Sequence, residues 1–190
     1  MSTNYKAVFV DKDGTLIPDI PYNVNTELIT LEEGVAEGLQ MLQSAGYIIV
    51  IVSNQSGLAQ GYFTVEAFDK VKDKINALLA AQGIALQGFY YCPHCADGDC
   101  DCRKPAPGML LQAARELGID LDRSWMIGDI LNDVEAGKRA GCRSILIDNG
   151  NETEWLLNDW RTPDLTAKDF KMAAQYITAE NMRSRSFAEL

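Results

Sequence analysis

The sequence predicts an α/β protein: a Rossmann-like parallel sheet with helices on both faces, in one domain without a cap. Three observations carry this. Strand-like and helix-like segments alternate along the chain. Tyr47 to Val52 is an unbroken apolar run, as a strand buried on both faces requires. The polar, chemistry-bearing clusters fall where strands end, the edge at which open α/β sheets bind ligands.

Each element follows from local sequence. Lys6 to Val10 reads as the first strand. Glu33 to Ala45 has helical spacing (Val35, Leu39, Leu42) and stops at Gly46. After the Tyr47 to Val52 strand comes a helix from Thr64 to Ala81, with Thr64 as N-cap before Glu66 and Gly83 as terminator. Gly88 to Tyr91 is a short strand, and Pro107 to Leu117 a helix closed by Gly118. Trp125 to Gly128, Asn132 to Ala140 and Ser144 to Ile147 read as strand, helix and strand. A last helix is expected near Ala167 to Ile177, docked on the sheet edge. Residues 1–178 are thus expected to form the domain and 179–190 a tail, with Met182 to Leu190 lacking any period.

The chain has 190 residues, enough for one sizeable core, and its apolar fraction of 47% is ordinary for a globular protein. No apolar run is long enough to span a bilayer, and no apolar stretch follows Lys6 as in a secretory signal. A cytoplasmic protein without a membrane partner is expected, acting as a monomer. The net charge of -10 argues against nucleic acid as a partner, since phosphate backbones select basic surfaces. The same charge means that any phosphate site must supply its own local cations or metal.

The first strand stops at Asp11-Lys12-Asp13-Gly14-Thr15. Two carboxylates one residue apart repel each other and are costly to hold. They make sense where a divalent cation and a transferred phosphoryl group share the site, one carboxylate being nucleophile and the other proton shuttle. A calcium loop begins similarly, but it needs a later Glu and flanking helices, and a strand precedes this segment.

Three further clusters lie at strand ends. Ser53-Asn54-Gln55-Ser56-Gly57 follows the second buried strand. Its hydroxyl and free N–H groups can hold a phosphate, although the same residues suit an ordinary turn. Arg103-Lys104-Pro105 and Pro107-Gly108 precede a helix, so two cations stand beside rigid prolines in an acidic chain. Gly128-Asp129 and Asn132-Asp133 follow the fourth strand, where their carboxylates could meet Asp11 and complete a Mg site. These four motifs, in this order, resemble the signatures of the haloacid dehalogenase (HAD) superfamily, most of whose members are Mg-dependent phosphatases.

Four of the five cysteines, and the single histidine, fall between Cys92 and Cys102. In a protein expected in the cytosol, that clustering reads as a zinc site rather than as disulfides. Spacing leaves two ligand sets open: Cys92, Cys95, Cys100 and Cys102, or Cys92, His94, Cys100 and Cys102. The segment from Cys92-Pro93-His94 to Met109-Leu110 resembles the D-glycero-D-manno-heptose 1,7-bisphosphate 7-phosphatases and their relatives, the histidinol-phosphate phosphatases. That resemblance, from Asp11 to about Asn149, implies a structural zinc held by Cys92, His94, Cys100 and Cys102. Cys95 stands where the family often has a second His, and Lys12 where it usually has Arg. Cys142 reads as a small buried residue.

The resemblance also implies a mechanism. Mg2+ is expected on Asp11, the carbonyl of Asp13 and Asp129, with Asp133 nearby. Asp11 would attack phosphorus and Asp13 would protonate the leaving oxygen. Lys104 and Ser53 would neutralise the phosphoryl oxygens, Asn54 would donate to phosphate or sugar, and Arg103 would take a second phosphate. Neither Pro18 to Glu32 nor Gly57 to Tyr91 has room for a lid domain. Selection of a small phosphorylated sugar therefore falls to short loops, Ile20 to Asn23 among them. Histidinol phosphate is the competing substrate.

Overall fold

A computed structural model describes residues 4–188 of the chain. Its six strands form one sheet: β1 (Lys6–Val10), β2 (Tyr47–Asn54), β3 (Leu86–Cys92), β4 (Trp125–Gly128), β5 (Arg143–Ile147) and β6 (Leu165–Ala167). The order is β3-β2-β1-β4-β5-β6 and every pairing is parallel. The helices are α1 (Val35–Ser44), α2 (Val65–Ala81), α3 (Gly108–Leu117), α4 (Leu131–Ala140) and α5 (Phe170–Ala188).

The alternation of strand side chains builds two apolar layers. Val8, Val10, Ile49 and Ile51 point to the face covered by α1, α2 and α5, meeting Leu39, Phe68, Ile75 and Ile177. Ala7, Phe9, Val50 and Val52 point the other way, against Met109, Leu110 and Ala113 of α3 and Ala136 of α4. Every residue of β1 is buried, which fixes its end firmly in the middle of the sheet. Local signals hold where they are strong. Thr64 caps α2, its side chain accepting from the Ala67 N–H at 3.2 Å, and Gly118 ends α3 with φ 66°.

Three elements differ from the sequence expectation. β3 runs Leu86–Cys92, longer than the Gly88 to Tyr91 segment, so Cys92 itself lies in the strand. β6 was not expected at all; it has three residues and pairs with β5 through Ile145–Ile147, too short to show a period. The last helix begins at Phe170 and continues to Ala188, so most of the segment expected as a tail is helical. Ala173, Ala174 and Ile177 anchor its first half in the core, and Glu180 pairs with Arg143 at 3.3 Å and Arg183 at 3.1 Å further on. Residues 189 and 190 of that expected tail lie outside the described residues. Among the described residues no helix is long and apolar enough to cross a membrane. The stretch between β1 and α1 holds one 3-10 turn, Thr26–Leu28, and that between β2 and β3 holds α2, so the fold is capless among the described residues.

Candidate active site

The chain runs outward from β1 to β2 and β3, then returns to β4 on the other side of β1. That reversal opens a crevice beyond the carboxyl ends of β1 and β4. A cleft of about 350 Å³ occupies it, lined by Asp11, Asp13, Ser53, Asn54, Lys104 and Asp129 among others. Four separate stretches of sequence thus converge on one opening.

Charge dominates its floor. Lys104 is 3% exposed, and its ammonium donates to Asp11 Oδ1 and to the Val52 carbonyl at 3.0 Å, and pairs with Asp133 Oδ1 at 2.6 Å. Asp11, Asp129 and Asp133 are buried and bring carboxylate oxygens within 4.8 Å of one another, close enough to share a cation. Burial, only partly offset by Lys104 and reinforced by Asp133 and Asp13, pushes the Asp11 carboxyl up to about 7. Burial and the charge of Asp11 push Asp129 up to about 6 against the hydrogen bonds of Asn151 and Thr15. Asp133 is raised too, by burial first and despite Lys104. Burial opposes the Lys104 ammonium, but Asp11 and Asp133 outweigh it and hold its pKa above the ordinary lysine value. Three buried carboxylates face one buried lysine, which leaves an excess of negative charge when all are ionised. Hard oxygen donors in that state suit Mg2+.

Asp13 is held at the cleft mouth. Lys12 Nζ pairs with its Oδ1, and Gln55 Nε2 donates to its Oδ2 at 2.9 Å and to Ser53 Oγ at 2.8 Å. Asp129 is fixed by Thr15 Oγ1 at 3.0 Å and Asn151 Nδ2 at 2.7 Å. Gly14, with φ 81°, lets the turn pass directly under Asp129; a Cβ there would strike Asp129 Oδ2. Sequence reading singled out the carboxylates but not Gln55, Thr15 or Asn151. Gln55 was within reach, since it lies inside the Ser53 to Gly57 motif. Asn151 was not, because only the fold brings the segment after β5 to the end of β4.

Two residues expected on the phosphate have other partners. The Asn54 amide clasps the Lys104 backbone, donating to its carbonyl and accepting from its N–H, both at 3.0 Å. Arg103 turns toward the cysteine loop, Nη1 donating to the His94 carbonyl at 3.3 Å.

That loop gathers a second metal-competent cluster. Cys92 Sγ lies 3.5 Å from His94 Nδ1, 3.7 Å from Cys100 Sγ and 3.1 Å from Cys102 Sγ, and His94 Nδ1 lies 3.3 Å from Cys102 Sγ. Tetrahedral zinc with thiolates at about 2.3 Å separates its sulfurs by about 3.8 Å, and the four ligand atoms lie within 4.8 Å of one another, close enough to share one such ion. Of the two sets that spacing left open, the residues gathered here are those of the set with His94; Cys95 lies outside the cluster.

The chain is 45% identical over 148 residues to the D-glycero-beta-D-manno-heptose-1,7-bisphosphate 7-phosphatase of Pasteurella multocida, covering 75% of this chain and 80% of that one. The chain belongs to the heptose bisphosphate phosphatase family. The family member of Escherichia coli (strain K12) is 36% identical over 174 residues, 83% of this chain and 91% of that one. A family model described as HAD-hydrolase-like matches residues 101–173, from the cysteine loop into α5. Among solved structures, the D,D-heptose 1,7-bisphosphate phosphatase of B. bronchiseptica, complexed with magnesium and phosphate, superposes with a TM-score of 0.77 at 29% identity. That match covers 92% of this chain and 99% of that one. As a member of the heptose bisphosphate phosphatase family, the chain is a HAD-type phosphatase, a hydrolase of phosphoric monoesters.

Proposed function

We propose that this phosphatase removes the 7-phosphate of D-glycero-D-manno-heptose 1,7-bisphosphate in a Mg-dependent reaction. The observation that carries the chemistry is the placement of Asp11 and Asp13 at the end of β1, facing Lys104 and Asp129 across one cleft. The substrate assignment rests on the relatives at 45% and 36% identity.

Asp11 is the nucleophile. Its carboxylate attacks phosphorus in line, the sugar oxygen leaves, and an aspartyl-phosphate forms on Asp11. Asp13, oriented by Lys12 and Gln55, gives its proton to the leaving oxygen and then takes one from the hydrolytic water. Lys104 and Ser53 neutralise the phosphoryl oxygens as charge develops. Asp11, the Asp13 carbonyl and Asp129 would hold Mg2+, with Asp133 tying Lys104 beside them. The bound ion supplies charge neutralisation between nucleophile and phosphate.

Asn54 and Arg103 take positioning roles in this reading, not direct phosphate contacts. Asn54 sets the Lys104 backbone. Arg103 braces a zinc loop whose ligands are Cys92, His94, Cys100 and Cys102. Four protein ligands leave no open position, so the zinc is structural and stiffens the approach to Lys104. Reduced thiols in such a cluster fit a cytoplasmic setting.

Phosphate release with Mg2+ from heptose 1,7-bisphosphate, fructose 1,6-bisphosphate and histidinol phosphate tests the assignment. A kcat/KM preference for the heptose is expected. A preference for histidinol phosphate would overturn the substrate and keep the chemistry.

A further inference from the structure

At the mouth of the cleft two tyrosines touch. The rings of Tyr22 and Tyr62 are 4.5 Å apart between centroids and tilted by 58°. Both are open to solvent, 50% and 61% exposed. Tyr22 lines the same cleft as Asp13 and Gln55. It sits in the turn from Ile20 to Asn23, closed by the Asn23 N–H donating to the Ile20 carbonyl at 3.1 Å.

The backbone of Tyr22 is unusual. Among the described residues it is the one non-glycine with positive φ, at 55°. A bulky residue is disfavoured there, and such conformations gather where a side chain has to be aimed at a ligand. The neighbouring chain accommodates the ring. At Gly57 a Cβ would strike the Phe63 ring and lie 2.9 Å from Tyr22 Cδ1, so the glycine lets both rings lie against this turn. Gly57 follows the Ser53 to Gln55 segment that faces the reacting carboxylates. Strain, a glycine contact and a second ring therefore combine to hold one exposed aromatic face beside the catalytic groups.

With the phosphoryl group at Asp11, the rest of the substrate must extend toward this mouth. A sugar ring presents polarised C–H bonds on one face and hydroxyls around its edge. An aromatic face carries negative charge density that suits such C–H bonds. We propose that Tyr22, buttressed by Tyr62, is the platform on which the sugar ring of the substrate stacks. This rests on the reading of the substrate as a sugar phosphate and goes further by naming a specificity-determining residue.

The test compares wild type with Tyr22→Phe, Tyr22→Asn and Tyr62→Ala on heptose 1,7-bisphosphate and on acetyl phosphate, which has no sugar. Asn accepts positive φ, so Tyr22→Asn removes the ring while keeping the turn. Tyr22→Asn is expected to raise KM for the sugar roughly three- to tenfold with kcat little changed. Tyr22→Phe should stay near wild type, Tyr62→Ala should fall between, and acetyl phosphate hydrolysis should not move. An unchanged sugar KM in Tyr22→Asn, or an equal loss on acetyl phosphate, would overturn the platform. Wild-type preference is read separately. If another sugar phosphate is the better substrate, the variants are compared on that one, and the assigned heptose alone falls. Wild type inert on every sugar phosphate would overturn both.

Discussion

Asn54 grips Lys104 by its main chain at two points, the carbonyl and the N–H, each at 3.0 Å. The lysine is thereby registered from β2, although it belongs to the segment after β3. Its ammonium then reaches Asp11 and Asp133 without the loop having to find its own place. Asn54→Ala is expected to lower kcat/KM about 10- to 100-fold, the usual cost of losing a group that orients a catalytic one. Steady-state kinetics beside an unchanged circular dichroism spectrum would check it.

Asp11→Asn should abolish turnover, with a loss of about 10³-fold or more, while the fold survives. The substitution removes a buried carboxylate that burial already disfavours, and Lys104 keeps Asp133 and the Val52 carbonyl. The melting temperature should therefore not fall greatly. Appreciable phosphatase activity would remove Asp11 as nucleophile.

Gln55→Leu takes away two bonds, to Asp13 and to Ser53. A poorly placed proton donor matters most when the leaving oxygen is basic. The variant is expected to lose about 10-fold or more in kcat on a sugar phosphate and much less on acetyl phosphate, whose leaving group needs little help. Equal losses on both would reassign Gln55 to the phosphate pocket.

The site should also show a definite pH response. Asp11 and Asp129 stand at about 7 and about 6, above their ordinary value of 3.8. The folded chain therefore holds protons that the unfolded chain has already lost across that window. Their contribution to stability is fully present below pH 3.8 and disappears as pH rises through 6 and 7. Cation binding needs the ionised forms, so it moves oppositely. Apparent Mg2+ affinity should strengthen as pH rises to about 7, by up to about tenfold per unit for each proton displaced, and then level off. Thermal melts with Mg2+ or EDTA from pH 5.5 to 8 would reveal it; an Mg2+ stabilisation independent of pH would contradict the assignment.

Zinc content should separate the cysteines. Wild type and Cys95→Ser are expected to hold one zinc per chain, while Cys102→Ala should lose it and melt at lower temperature. Metal analysis of the purified variants decides this. Full zinc in Cys102→Ala would show that the cluster uses another ligand set.

Much of this site was legible before the fold, because HAD-like chemistry writes itself at strand ends. Asp11, Ser53 and Asp129 each close an apolar strand, so their convergence follows from a parallel sheet alone. Legibility failed where partners depend on distant packing. The Arg103 bond to the His94 carbonyl could not be read from its place beside Lys104, since consecutive side chains leave a turn in different directions. β6 escaped because three residues carry no period, and the far half of α5 because its pairing with Arg143 is invisible along the sequence.

The capless fold has a consequence for the rhythm of catalysis. Enzymes that shut a domain over their substrate often wait for it to reopen before products depart. Here the walls of the cleft are short turns anchored on a central sheet, so entry and exit need no such swing. Turnover should then be paced by bond-making at phosphorus. Thickening the solvent with glycerol or sucrose should slow kcat little, whereas a hinged relative would be braked at every cycle.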